Sequence, residues 1–141
     1  MSIKQISVFL ENRAGSMAEA TALLADAKIN LRALSIADTA EFGILRIVTD
    51  RTEEALKVLE DGGFAAAVNH VLAVEIEDKP GSLAKILKVL FDAGVGVEYT
   101  YAFTSIKANT AYMIFRVDDR SKAENVLKEA NINVAGQEIF R

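Results

Sequence analysis

The sequence predicts an α+β fold built as two βαββαβ modules, each an antiparallel sheet with both helices on one face. Two observations carry this. The stretch Glu11-Asn12-Arg13-Ala14-Gly15-Ser16-Met17-Ala18 returns as Glu77-Asp78-Lys79-Pro80-Gly81-Ser82-Leu83-Ala84 at a constant offset of about 66 residues, each position identical or chemically close. The match continues upstream at Val8/Val74 and Leu10/Ile76, and downstream at Leu24/Leu90, Asp26/Asp92, Ala27/Ala93, Ile29/Val95 and Leu31/Val97. The second observation is that strand and helix signals follow the same order in both halves. The boundary falls near Asn69 to Leu72 without a composition shift, giving one module over residues 1–70 and another over 71–141.

Each element has a local reason. Ile6, Val8 and Leu10 alternate with Ser7 and Phe9, the period of a strand. Ser16 is placed to cap a helix, with Glu19 completing a capping box. Met17, Ala20, Leu23, Leu24 and Ala27 form its apolar stripe. Asn30, which tolerates the left-handed region, marks the exit. Leu31 to Ala37 reads as a strand, Glu41 to Gly43 as a turn and Ile44 to Thr49 as the returning strand. Thr52 caps a second helix with Glu53 and Glu54 in its first turn, and Gly62-Gly63 stop it. Val68 to Ile76 is an extended run that closes the first module and opens the second.

The second half repeats the order. Leu83, Ile86, Leu87 and Leu90 line a helix that Gly94 ends. Val95 to Thr104 is a strand, Ile106 to Asn109 a turn, and Ala111 to Val117 the return. Ser121 with Glu124 reads as another capping box, and Val134 to Phe140 as the closing strand. Each module is thus a ferredoxin-like split βαβ unit.

Composition narrows the function. Hydrophobic residues make up 51% of the 141-residue chain, which excludes a disordered chain. The net charge is −4 with lysine and arginine scattered, which argues against nucleic acid as a partner. No apolar run reaches membrane-spanning length, and the first residues carry no signal-peptide pattern, so the expected location is cytoplasmic and no membrane partner is expected. Without cysteine, thiolate catalysis and cysteine-based metal sites are excluded. In the second sheet Tyr99, Tyr101 and Phe103 share one side of their strand, and Met113, Phe115 and Val117 share one side of the next, leaving Tyr112 and Ile114 opposite. One of the two apolar faces therefore needs a cover other than the helices: the first module, a second copy of the chain, or a ligand. Modules this small also lean on neighbours for stability, so a homodimer is expected.

The repeated turn is the candidate site. Gly15 and Gly81 permit a bend and a close approach of ligand to backbone. The N–H groups at Ser16-Met17 and Ser82-Leu83 open a helix N-terminus, which receives a carboxylate. Asp78 can accept from a ligand ammonium group, Asn12 can donate or accept, and Pro80 pre-orders the second turn. An ordinary strand-to-helix turn, with Asn or Asp making a local bond and Ser capping, accounts for the same residues.

A hydrophobic strand ending in (Asp/Asn)-x-x-Gly-x-(Leu/Met), followed about fourteen residues on by (Asn/Gly)-(Ile/Leu/Val), resembles an ACT domain. The two copies are Asn12 to Met17 with Asn30-Leu31, and Asp78 to Leu83 with Gly96-Val97. Tyr99 to Phe103 and Ile114-Phe115-Arg116 also resemble small stand-alone tandem ACT proteins, so the resemblance covers essentially the whole chain. It implies a regulatory protein without catalysis, which binds a free amino acid, pairs side by side and acts on a partner enzyme. It also implies ligand contacts at Asn12, Ala14, Gly15, Ser16, Met17, Asn30 and Leu31, and at Asp78, Pro80, Gly81, Ser82 and Leu83. Gly96 in place of Asn30 implies that the copies differ. The alternative is a ligand-free interaction module of the same fold.

Other constellations carry less. His70 is the only histidine, so neither a histidine triad nor a multi-histidine metal site exists in one chain. Glu75, Glu77 and Asp78 cluster without calcium-loop spacing. Asp61-Gly62-Gly63 is a helix stop, not a phosphate loop. Arg46 and Arg116 sit in corresponding strands, positioned to pair with a carboxylate. No nucleophile–base pair or cofactor fingerprint is present, so neither catalysis nor a cofactor is expected.

Overall fold

The computed structural model describes residues 2–38, 42–104 and 108–140. The elements run β1 (Ile3–Glu11), α1 (Ser16–Asp26), β2 (Leu31–Asp38), β3 (Phe42–Thr49), α2 (Thr52–Asp61), β4 (Ala65–Glu77), α3 (Ser82–Asp92), β5 (Val97–Thr104), β6 (Thr110–Val117), α4 (Arg120–Glu129) and β7 (Val134–Ala135), followed by a 3-10 turn over Gln137–Phe140. The βαββαβ order therefore occurs twice. The chain divides into two compact units, residues 4–69 with 140–141 and residues 1–3 with 70–139. In the N-terminal unit the strands lie in the order β2-β3-β1-β4, and in the C-terminal unit β5-β6-β4-β7. These are the same order, because β4 serves as last strand of one unit and first strand of the next.

Registers confirm the alternation read from sequence. In the N-terminal unit Ile6 faces Ile47 and Val8 faces Leu45, and these four join Leu10, Ala20, Leu24, Ile29, Ala55 and Leu59 in the core under α1 and α2. In the C-terminal unit Leu72 faces Phe115 and Val74 faces Met113, packed with Ile86, Leu90, Ala123 and Leu127 of α3 and α4. Tyr101 faces Ile114 and Phe103 faces Tyr112 on the sheet face away from the helices. There Tyr99 and Tyr101 stack with centroids 6.5 Å apart, and Phe103 and Tyr112 at 5.3 Å. Offset stacks of this kind add to the area the rings bury.

Helix starts and stops differ in detail from the sequence expectation. Ser16 is the first helical residue rather than the cap: Gly15, at φ +91°, holds the cap position, and the Ser16 hydroxyl donates to the Glu11 carbonyl at 3.0 Å. No capping box forms, because Glu19 turns instead to the Arg13 guanidinium. Thr52 likewise lies inside α2, with Arg51 before it as cap, and Ser121 lies inside α4, where Asp119 is the cap and accepts from the Lys122 N–H at 3.1 Å. An aspartate one step outside the helix reaches the orphan donor that a serine already in helical conformation cannot. At the exit from α1 the left-handed residue is Lys28 at φ 57°, not Asn30. Its counterpart after α3 is Gly94 at φ 75°.

Asn30 has another role. Its N–H donates to Asp50 Oδ1 at 3.1 Å while its carbonyl accepts from the Asp50 N–H at 3.3 Å. Gly96 and Asp118 make the same clamp at 3.0 and 3.1 Å. The contact uses only the backbone of residue 30 or 96, so asparagine and glycine both serve. Arg51 fastens the end of α1 from the other side, donating to the Ala27 and Lys28 carbonyls at 3.1 and 2.6 Å and to Glu54 at 2.8 Å.

The expected strand from Val134 to Phe140 is a second correction. β7 pairs with β4 only at Ala73↔Ala135 and Val74↔Val134, and the chain then winds into the 3-10 turn. The turn buries Phe140 to 1% exposure and presents its carbonyl to Arg32 Nε at 3.1 Å. A strand in continuous register alternates its side chains and would not place them so. Of the two expected hairpin turns, Glu41 and Ile106 with Lys107 lie outside the described residues, Gly43 belongs to β3, and Asn109 adopts φ 59°.

Truncating the buried ring tests this terminal anchor. Phe140→Ala is expected to destabilise the chain by about 3–5 kcal/mol, the usual cost of emptying a phenylalanine site. Urea unfolding followed by circular dichroism checks it, and a loss below about 1 kcal/mol would show that the turn adds little.

Candidate functional site

Both glycine turns have one backbone. Gly15 and Gly81 sit at φ +91° and +90°, and a Cβ at either would meet no atom within 4 Å. Substitution there is therefore opposed by the left-handed dihedral, not by crowding. In both turns the N–H at the first helical position reaches back three residues, Ser16 to Arg13 at 3.4 Å and Ser82 to Lys79 at 3.3 Å. The fourth N–H bonds to the glycine carbonyl, Glu19 to Gly15 at 2.9 Å and Lys85 to Gly81 at 3.0 Å. The N–H groups left without an acceptor among the described residues are then those of Met17 and Ala18, and of Leu83 and Ala84, one position further on than Ser16 and Ser82 suggested. They form the positive end of each helix.

The side chains around the turns differ. At the first, Arg13 donates to Glu11 at 3.1 Å and to both oxygens of Glu19 at 3.2 and 2.9 Å. These hydrogen bonds, with the added Coulomb attraction, hold the Glu19 carboxyl below its ordinary value and push the guanidinium further up. At the second, Lys79 pairs with Glu77 at 2.7 Å, and that bond lowers the Glu77 carboxyl. Lys85, at the position of Glu19, makes no hydrogen bond or ion pair with any described residue, and its charge also acts on Glu77.

A cavity of about 470 Å³ opens at the second turn, lined by Glu75, Ile76 and Glu77 of β4, Lys79 to Ser82 of the turn, Lys85 and Ile86 of α3, Thr110 of β6, and Asn131 to Asn133 after α4. Its cause is the short β7, which begins only at Val134 and leaves the edge of β4 beyond Val74 open. Asn133 bridges the gap: its carbonyl accepts from the Glu75 N–H at 2.9 Å, and its amide donates to the Glu75 carboxylate at 2.7 Å. The size is in the usual range for small-molecule sites.

Of the residues singled out in the sequence, Pro80, Gly81 and Ser82 line this cavity, while Asp78 and Leu83 are not among its lining residues. Asn30 and Leu31 line a different hollow of about 480 Å³ along α1, with Ala18, Thr21, Ala22, Leu24, Ala25 and Ile29; Asn12 and Ala14 to Met17 take no part in it. Lys85, Thr110, Asn131 and Asn133 were not singled out in the sequence: Lys85 lies in the first turn of α3, Thr110 reaches the turn through its ladder with Glu77, and Asn131 and Asn133 through the chain after α4. His70 is exposed, with Nδ1 3.3 Å from Ser2 Oγ. Arg116 donates to Glu98 at 3.2 Å and pairs across the ladder with Tyr99, whereas Arg46 pairs with Ser7 and Ser35. Among the described residues no three acidic or histidine side chains gather as metal ligands, and no helix is long and apolar enough to cross a membrane.

The Arg13 clamp predicts a pH dependence. A carboxyl depressed in the folded state stabilises it fully above the ordinary carboxylate range, near 4.3, and loses that contribution as pH falls through the depressed value. Arg13→Ala is expected to return the Glu19 titration upward toward the ordinary carboxylate range and to flatten this acid limb. Carbon-detected NMR titration of the Glu19 carboxyl measures it; an unmoved titration would show that the clamp is not populated in solution.

A family model describing an ACT domain pair matches residues 1–140. No protein of curated function matches the chain. Among solved structures, a protein from Bacteroides thetaiotaomicron is 38% identical, with 100% of this chain and 97% of that one covered and a TM-score of 0.93. The ligand-free regulatory subunit of aspartate kinase from Thermus thermophilus shares the fold at 20% identity, TM-score 0.68, covering 91% and 89%. The corresponding subunit from Thermus flavus does so at 20% identity, TM-score 0.64, covering 91% and 92%. With two βαββαβ units, a glycine turn in each and a family match over nearly its full length, the chain belongs to the family of paired ACT domains, regulatory modules that bind small ligands.

Proposed function

We propose that this chain is a non-catalytic regulatory protein that binds a free amino acid at its glycine turns and passes the signal to a partner enzyme. The observation that carries the reading is the cavity at the second turn: it sits at the positive end of α3 and combines Lys79 and Lys85 with Glu75 and Glu77. A zwitterion needs both signs at close range, and the helix end favours its carboxylate. The candidate contacts are Asn12, Ala14, Gly15, Ser16, Met17, Asn30 and Leu31 at the first turn, or Asp78, Pro80, Gly81, Ser82 and Leu83 at the second. The protein works in the cytoplasm as a homodimer. Support for self-association comes from the edge strand β2, where Leu34 and Ile36 are 48% and 47% exposed on the face they share with the core residues Leu45 and Ile47. An unpaired edge with apolar side chains is a template for another chain.

Thermal unfolding in the presence of each common amino acid tests the reading. A ligand at one hundred times its Kd should add about 2.7 kcal/mol to the folded state, a readily visible rise in melting temperature. If none of them shifts the transition, the ligand-free interaction module is the better description. Sedimentation at micromolar concentration is expected to give twice the chain mass; a monomer would remove the dimer from the proposal.

A further inference from the structure

The two copies share a backbone and differ in chemistry at the same positions. Lys85 in α3 stands where α1 has Glu19. Glu75 of β4 stands where β1 has Phe9, and Thr110, which faces Glu77 in its ladder, stands where Phe42 faces Glu11. Asn133, two residues after the left-handed Asn131, stands where Ala65 follows the left-handed Gly63. Four polar residues that line the cavity at the second turn thus become, at the first, two exposed phenylalanines, a carboxylate and a methyl group.

The hydrogen bonds differ in the same sense. Ser16 is buried with its hydroxyl engaged by the Glu11 carbonyl, and Arg13 is held by Glu11 and Glu19. Ser82 lines the cavity, and neither its hydroxyl nor the Lys85 ammonium has a hydrogen-bond or ion-pair partner among the described residues. A carboxylate arriving at the second helix start meets a free cation and a free hydroxyl. At the first it meets the like charge of Glu19, which opposes it.

Resting on the reading of the chain as an amino-acid-binding protein, we infer that it carries one such site and not two. The site is the cavity of the C-terminal unit. Lys85 and Ser82 receive the ligand carboxylate, and the wall formed by Glu75 and Glu77 faces its ammonium group. Both glutamates are already paired, yet an ionised carboxylate accepts about four hydrogen bonds and retains capacity for a ligand. Lys85 is the residue that distinguishes the copies.

The test is an NMR titration of the full chain, with backbone amides assigned, against an equimolar mixture of the common amino acids, followed by calorimetry with whichever one binds. The expected result is movement of amides around Ser82 to Ile86 and Asn131 to Asn133, one equivalent bound per chain, and no matching movement at Ser16 to Ala20. Lys85→Glu installs the first copy's residue and should weaken binding about ten- to a hundred-fold, the range for losing a charge-assisted hydrogen bond. Lys85→Gln should weaken it less, and Lys85→Arg should retain it. Lys85 is exposed, so all three variants are expected to fold, which their melting curves check. Two equivalents per chain, or movement at Ser16 to Ala20 matching that at the second turn, overturn the single site while leaving amino-acid binding intact. Unchanged affinity in folded Lys85→Glu overturns the role of Lys85. No amide movement with any amino acid overturns the site and the functional reading together.

Discussion

The left-handed glycine after the first strand of each unit governs both the packing of the unit and the exposure of its helix start. At φ +91° and +90°, Gly15 and Gly81 turn the chain from strand into helix within four residues, a dihedral that costs any side-chain-bearing residue about 1–2 kcal/mol. That turn fixes where α1 and α3 begin, and hence which residues of each helix reach the sheet: Ala20 and Leu24 in one, Ile86 and Leu90 in the other. It also leaves two N–H groups at each helix start without an acceptor among the described residues. The packing and the unsatisfied helix start arise here from one backbone conformation.

Duplication explains why the units match, and local substitution explains why they differ. Positions fixed by backbone geometry agree closely: the two glycines, the clamps Asn30–Asp50 and Gly96–Asp118, and the left-handed residues Lys28 and Gly94. Side chains outside the core are free to diverge, and they do, as Glu19 against Lys85 and Phe9 against Glu75. The short β7 adds a difference in architecture, because it uncovers an edge of β4 that a full-length strand would have sealed.

The sequence disclosed the fold well because period-2 and helical apolar patterns report burial directly, and Ile6, Val8 and Leu10 or Leu83, Ile86 and Leu90 follow them closely. It was misleading at helix starts. Ser16, Thr52 and Ser121 match the capping pattern, but a cap depends on the dihedral of one residue, and composition does not reveal whether serine stands just outside the helix or just inside it. The end of the chain was misread for a related reason: Val134 to Phe140 has strand-like residues, yet Phe140 reaches a buried position only by leaving the strand. At the site, the glycines and serines were legible from repetition. Lys85, Thr110 and Asn133 were not, because they come from α3, β6 and the chain after α4, and only tertiary pairing brings the last two to the turn.

Arg51 shows how a loop residue can couple two helices. Its guanidinium holds the carbonyls of Ala27 and Lys28 just past α1 while standing as the first residue before α2, where it also holds Glu54. Fraying of the α1 terminus withdraws two acceptors from the residue that positions the α2 start, and disorder at the α2 start removes the cover from the α1 carbonyls. The two helix ends are therefore expected to open as one cooperative segment, whose amides would share a single opening free energy in native-state exchange.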